Sequence, residues 1–346
     1  MHLPRWLRAP PPPSPEDPCA PLLAALSEPV LLVADGVVAI ANPAARALLG
    51  EYIVGEDVRT ALRHPVATER LAAPDPAPVI LLGLGGRDGR WEMRVGDASD
   101  GRRIVQLFDQ SAAHAAERTR VDFVANASHE LRTPLASVLG YVETLADPDL
   151  DRDTRGRFLA VIEAESRRMQ RLVEDLLSLS RIEAGQFRAP TDPVDLAALS
   201  ASVAKEVARA QDAAVETDLP ASPAEIAGDR AQLAQLLHNL LDNALKYGRP
   251  PVTLSLLRSD AHWRLSVSDC GDGVAPEHLS RLTERFYRVD PGRSRAAGGT
   301  GLGLALVKHI VERHRGRLSI TSALGEGVTV TIDLPALSRN RNAAGA

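Results

Sequence analysis

Residues 123–135 read Phe-Val-Ala-Asn-Ala-Ser-His-Glu-Leu-Arg-Thr-Pro-Leu and place one histidine where it can react. Val124, Ala127, Leu131, Leu135, Val138, Val142 and Leu145 recur three and four residues apart, the stripe of an amphipathic helix. His129 falls nearly opposite that stripe, with Asp122, Asn126 and Thr133, so its imidazole faces water and any partner. Glu130 adds a carboxylate that can orient the ring or take its proton. Pro134 has no N–H and crowds the carbonyl of Glu130, which predicts a bend beside the histidine. Thr133 lies one helical turn after His129 on the same face, where a hydroxyl can hold a water. A plain surface histidine would have the same surroundings. A zinc helix of the His-Glu-x-x-His kind would need a second histidine where the chain has Thr133.

A second group of chemical residues lies in the last third of the chain. Asn239, Asn243 and Lys246, four and three residues apart, share one helix face, while Leu237, Leu240, Leu241 and Leu245 cover much of the rest. Amide oxygens suit magnesium, which keeps a mostly watery shell, and a lysine one turn on can meet phosphate oxygens. Asp269-Cys270-Gly271-Asp272-Gly273 follows a predicted strand. Glycines there let the backbone approach a flat ligand, and a buried carboxylate can accept from an exocyclic amine, selecting adenine over guanine. Gly298-Gly299-Thr300-Gly301-Leu302-Gly303-Leu304 opens a predicted helix, whose free N–H groups and dipole suit a phosphate chain. That string is not a P-loop, because no Gly-Lys-Ser/Thr appears. Nor is it a dinucleotide fingerprint, because its third glycine comes one residue early. Gly325-Glu326-Gly327 then opens the last strand. Taken singly, each string also suits an ordinary turn or amphipathic helix.

These groups need elements to position them. Residues 1–20 are dominated by proline and predict a disordered tail. Over 21–110, short apolar runs (Val30–Val33, Val37–Ile40, Val79–Leu82, Ile104–Phe108) alternate with Gly and Asp turns and predict strands, with a capped helix from Asn42 to Gly50. Residues 111–120 read as a helical linker, and 121–186 as two amphipathic helices joined at Asp147-Pro148-Asp149. The second helix carries Phe158, Ile162, Met169, Leu172, Leu176 and Leu179 and stops at Gly185. One such hairpin cannot bury both stripes, whereas two can form a four-helix bundle, which predicts a homodimer. Over 190–336, helices at Leu196–Ala210, Arg230–Tyr247 and Leu302–Arg315 mix with strands at Val252–Arg258, Trp263–Asp269, Leu318–Thr321 and Val328–Leu334. That mixture predicts an α/β sandwich with helices on one face of a sheet. Residues 337–346 read as a second tail.

Composition narrows the function. Lys+Arg 40 against Asp+Glu 45 gives a net charge of −5, with no electrostatic footprint for nucleic acid. Cys19 and Cys270 make neither a disulfide framework nor a metal pattern. No apolar run approaches the roughly 18 residues of a spanning helix, and no signal peptide is legible. A cytoplasmic chain is expected, with any membrane association through partners.

The stretch around His129 resembles the phosphoacceptor box of bacterial two-component sensor histidine kinases. The later strings, with Phe286-Tyr287-Arg288-Val289-Asp290, resemble in order and spacing the nucleotide boxes of the same family's Bergerat-fold ATPase domain. The resemblance spans about residues 118–335. It implies ATP and magnesium as cofactors and His129 as the phosphorylated residue, with Glu130 and Thr133 assisting. It implies Asn243 as magnesium ligand and Asn239, Lys246, Tyr247, Asp269, Gly271 and Gly273 at the nucleotide. Gly299, Thr300, Gly301, Leu302 and Gly303 would cradle the phosphates, and residues between Asp290 and Thr300, with Arg293 and Arg295, would form a mobile lid. It further implies a cognate response regulator as partner. The region before residue 110 resembles a PAS sensor domain, and the whole is similar to the PhoR type of phosphate-regulon sensor, without the membrane anchor usual there. Cys270 stands where many relatives have asparagine. The rival readings are a Bergerat-fold ATPase that works as a conformational clamp, which leaves the His129 helix without a task, and a degenerate kinase acting as scaffold or phosphatase only.

Overall fold

The structure, a computed structural model, describes residues 18–72, 77–84, 89–98, 101–185, 189–290, 292 and 299–337. The proline-dominated segment up to residue 17, the residues after 337, and Arg293 and Arg295 lie outside the described residues. The chain divides into two compact units, Met1–Asp122 and Phe123–Ala346.

In the first unit, helix α1 (Cys19–Ala24) precedes β1 (Val30–Ala34) and β2 (Val37–Ala41). Helices α2 (Pro43–Leu49), α3 (Val58–Leu62) and α4 (Pro65–Ala72) then lead to β3 (Val79–Leu82), β4 (Arg90–Asp97) and β5 (Arg103–Asp109). The strands form one antiparallel sheet in the order β2-β1-β5-β4-β3. Alternation along β1 sorts its side chains between two cores. Leu31 and Val33 pack with α2, α3 and α4, while Val30 and Leu32 pack with Leu23 of α1. Buried Asn42 ties these parts together. Its Oδ1 accepts from the N–H groups of Ala45 and Val30, and its Nδ2 donates to the carbonyls of Leu23, Leu26 and Glu28. β4 was not foreseen. Its sequence, Arg-Trp-Glu-Met-Arg-Val-Gly-Asp, alternates with charged residues, and only pairing with β3 and β5 makes it a strand.

Helix α5 runs from Ser111 to Leu145, through Pro134, and α6 from Arg152 to Gly185. Tyr141 and Phe158 meet across the hairpin with ring centroids 5.0 Å apart, and Arg155 donates to the carbonyls of Leu145 and Asp147 at its closed end. The last part of the chain adds β6 (Pro193–Asp195), α7 (Leu196–Gln211), β7 (Val215–Asp218), β8 (Glu225–Ala227) and α8 (Arg230–Tyr247). It continues with β9 (Val252–Ser259), β10 (His262–Ser268), α9 (Pro276–Leu279), α10 (Gly303–Arg313), β11 (Arg317–Ala323) and β12 (Gly327–Pro335). Its main sheet has the order β11-β12-β10-β9-β7, with β7 parallel to β9 and the other pairs antiparallel. Leu254, Leu256, Leu265, Val267 and Ile332 of the sheet pack against α7, α8 and α10 in one core that also takes in Leu179 and Ile182 of α6. The end of the hairpin is therefore built into the core of this part of the chain. Asp195 and Asp229 cap α7 and α8 by accepting their first free N–H groups. Buried His314 at the end of α10 secures the second cap. Its Nδ1–H donates to the Ile310 carbonyl at 2.7 Å and its Nε2 accepts the Asp229 N–H at 3.0 Å. Burial holds its pKa below the ordinary imidazole value.

Candidate nucleotide and phosphoacceptor sites

Helix α8 turns its leucines into the core and its polar face toward a cavity of about 360 Å³. Asn239, Asn243, Lys246 and Tyr247 line the cavity from α8, Asp269 and Gly273 from the turn after β10, and Gly299, Thr300, Gly301 and Gly303 from the loop before α10. The size suits a nucleotide.

At one end stands Asp269. Burial raises its pKa, while the Gly271 N–H, 2.8 Å from its Oδ1, opposes that shift. Gly271 does not itself line the cavity; it aims the carboxylate. Gly273, at φ +70°, brings this turn against the backbone of Ala323, where a Cβ would collide. At the other end Asn239 and Asn243 close on the start of α10. A Cβ added to Gly303 would lie 3.6 Å from Asn239 Oδ1 and 3.8 Å from Asn243 Nδ2. Asn239 Nδ2 is buried with no hydrogen-bond partner, a donor left for a ligand oxygen. Gly301, at φ +72°, lies over Phe286, whose N–H donates to the Gly301 carbonyl at 2.8 Å. Leu302 is buried beneath the loop rather than lining it. Lys246 Nζ lies 3.0 Å from Asp242 Oδ2. These residues suit a purine nucleotide. Among the described residues no cluster of three His, Cys, Asp or Glu could hold a metal by itself, so a cation here would rest on amide oxygen and phosphate.

His129 is exposed on α5 and does not line the cavity, and neither do Glu130 and Thr133. The Thr133 hydroxyl donates to the His129 carbonyl at 3.3 Å. Glu130 Oε2 accepts from Arg168 on α6 at 2.9 Å and from Arg288 at 2.8 Å, and both guanidiniums are buried. Arg288 also lines the cavity, so one side chain connects the nucleotide pocket to the neighbour of His129. The hairpin supplies part of the cavity wall as well, through Arg171, Glu174 and Asp175 of α6. Sequence reasoning missed these and Arg168. The one signal was Arg168 itself, a charge four residues before Leu172 on the buried side of α6.

Residues 119–185 match the His Kinase A (phospho-acceptor) domain, and residues 228–338 match the Histidine kinase-, DNA gyrase B-, and HSP90-like ATPase family. The chain is 38% identical over 312 residues to the phosphate regulon sensor protein PhoR of Pseudomonas aeruginosa, covering 87% of this chain and 70% of that protein. It is 36% identical to the sensor-like histidine kinase SenX3 of Mycolicibacterium smegmatis, over 75% of this chain and 69% of that one. It is 35% identical to the sensor protein SrrB of Staphylococcus aureus, over 67% of this chain but 41% of that one. Among the described residues no helix is long and apolar enough to cross a membrane. The chain belongs to the two-component sensor histidine kinases, ATP-using enzymes that phosphorylate themselves on histidine and pass the phosphoryl group to a response regulator.

Proposed function

We propose that the cavity beside α8 binds Mg-ATP and that His129 is the residue phosphorylated. The orphaned donor of Asn239, whose amide closes on the start of α10, in one cavity with the desolvated carboxylate of Asp269, carries this reading. Asp269 accepts the adenine amine. The glycine loop and Lys246 take the phosphates. Asn243 holds magnesium, which neutralises charge on the triphosphate. Once Glu130 is free of Arg168 and Arg288, it orients or deprotonates the imidazole of His129. A ring nitrogen then attacks the γ-phosphorus and ADP leaves. Positioning and charge neutralisation supply most of the rate. The labile P–N bond makes transfer to a regulator aspartate favourable, and a water held by Thr133 serves the reverse task of dephosphorylating that regulator.

The functional unit is a homodimer. Val124, Leu135 and Val142 of the predicted stripe are 57%, 49% and 50% exposed, an apolar face that a second hairpin would cover. The first unit acts as a PAS-like sensor, a reading supported by its antiparallel sheet with helices inserted between the second and third strands. Similarity to the Pseudomonas protein supports a role in phosphate regulation. The test is incubation of the full chain with γ-labelled Mg-ATP. The wild type should take up alkali-stable, acid-labile phosphate, and His129→Ala should take up none while still binding ATP. Label persisting in that variant would remove His129 as acceptor.

A further inference from the structure

Besides the shared core at Leu179 and Ile182, side-chain contacts hold the nucleotide half against its own hairpin, and three of them bear on the site. The Phe123 ring lies 5.9 Å from that of Phe286, Arg288 pairs with Glu130, and the Thr300 hydroxyl donates to Asp175 Oδ2 at 2.8 Å. The third falls on the loop that would cradle phosphate. The Thr300 hydroxyl also accepts the Leu302 N–H at 3.3 Å, so one side chain joins α6 to the entrance of α10. Asp175 is partly buried, and burial raises its pKa against the opposing effect of the Thr300 bond. Glu174 lines the same wall. Of the cations lining the cavity, Lys246 is engaged by Asp242 and Arg288 by Glu130. The docked arrangement thus sets carboxylates against the phosphate loop and engages Arg288, while Lys246 is held by Asp242 within α8 itself.

We propose that Asp175 is a positioning residue that latches the phosphate loop to α6, so that hairpin docking and triphosphate binding oppose each other. The inference rests on the nucleotide reading of the cavity and adds a direction to it. A triphosphate entering the loop competes with Asp175 for Thr300 and is repelled by its charge. Once Asp175 releases the loop and Arg288 turns to the phosphates, Glu130 keeps only Arg168 of its two guanidinium partners. The same carboxylate that lowers affinity in the docked state therefore couples arrival of ATP to a loosened hold on the acceptor's neighbour. Linkage requires the reverse effect as well: docking weakens ATP binding by the same factor by which ATP weakens docking.

The test is calorimetric titration of the full chain with Mg-ATP and, separately, with adenosine. Asp175→Ala should bind Mg-ATP about fivefold more tightly than wild type, because it loses both bond and charge. The nearly isosteric Asp175→Asn can still accept from Thr300 but carries no charge, and should show a smaller gain. Adenosine, which reaches only the Asp269 end, should bind all three proteins alike; a general loosening of the fold would shift both ligands. Unchanged or weaker Mg-ATP binding by Asp175→Ala, or an equal shift for adenosine, would overturn the latch while leaving the nucleotide site intact. Failure of the wild type to bind either ligand would remove the nucleotide reading, and the latch with it.

Discussion

Helices α5 and α8 carry the same kind of pattern, an apolar stripe on one side and functional polar residues on the other, yet the fold treats them differently. In α8, Leu233, Leu236, Leu237, Leu240 and Leu241 are all buried by α7, α10 and the sheet, which fixes Asn239 and Asn243 on the cavity wall. In α5, Val124, Leu135, Leu139 and Val142 stay exposed, and His129 faces solvent. A stripe satisfied within the chain makes a fixed binding wall. A stripe left open leaves an apolar face uncovered and its reactive residue outside the pocket. That division suits a reaction in which nucleotide is held still while the acceptor must reach it and later reach a regulator.

The comparison can be broken most severely on the polar side of α8. Asn243→Ala should abolish autophosphorylation in a radiolabel assay, since the cation ligand is lost, while circular dichroism remains unchanged. Normal labelling would mean that the α8 face does not hold the metal. The apolar sides come next. Leu237→Ala should cost about 2–5 kcal/mol in denaturant unfolding of the nucleotide half, because a packed site cannot collapse around the cavity. Leu135→Ala should change that transition by less than about 0.5 kcal/mol yet raise the dimer dissociation constant in sedimentation. Equal effects would erase the distinction between the two helices.

A pH experiment sharpens the account of how α8 is held. His314 is neutral in the fold and its pKa is depressed, so its contribution to stability is complete above the ordinary imidazole value of about 6.5 and falls away as pH drops below it. Thermal unfolding should therefore show a loss of about 1 kcal/mol between neutrality and pH 5.5, and His314→Gln should flatten that dependence. An unchanged slope in the variant would place the acid sensitivity elsewhere. The smallest structural effect belongs to Thr133. Among the described residues its hydroxyl bonds only the His129 carbonyl, so Thr133→Ala should leave stability and autophosphorylation near wild type while regulator dephosphorylation slows. Dephosphorylation at the wild-type rate would reduce Thr133 to a residue that suits the backbone before Pro134.

Much of the nucleotide half was legible because its signals are local. Asp229 and Gly248 bracket α8, so its span from Arg230 to Tyr247 follows from capping and leucine periodicity alone. The glycine strings named the turns where backbone meets backbone, and the histidine box named the exposed face of α5. Less legible was what each residue does once in place. Gly271 and Leu302 lie in the right strings, but one orients Asp269 and the other sits buried beneath the loop. β4 was invisible because its charged, alternating sequence becomes a strand only through its neighbours.

By itself, then, the sequence determined the periodicity of the helices, their caps, the turns that need glycine and the order of the chemical residues along the chain. All of these depend on interactions within a few residues. The tertiary structure alone decided that α6 walls the cavity with Arg171, Glu174 and Asp175, that Arg168 and Arg288 converge on Glu130, and that Thr300 meets Asp175. Those pairs lie 38, 158 and 125 residues apart, and no periodicity or local propensity reports which distant carboxylate a buried guanidinium or hydroxyl will find.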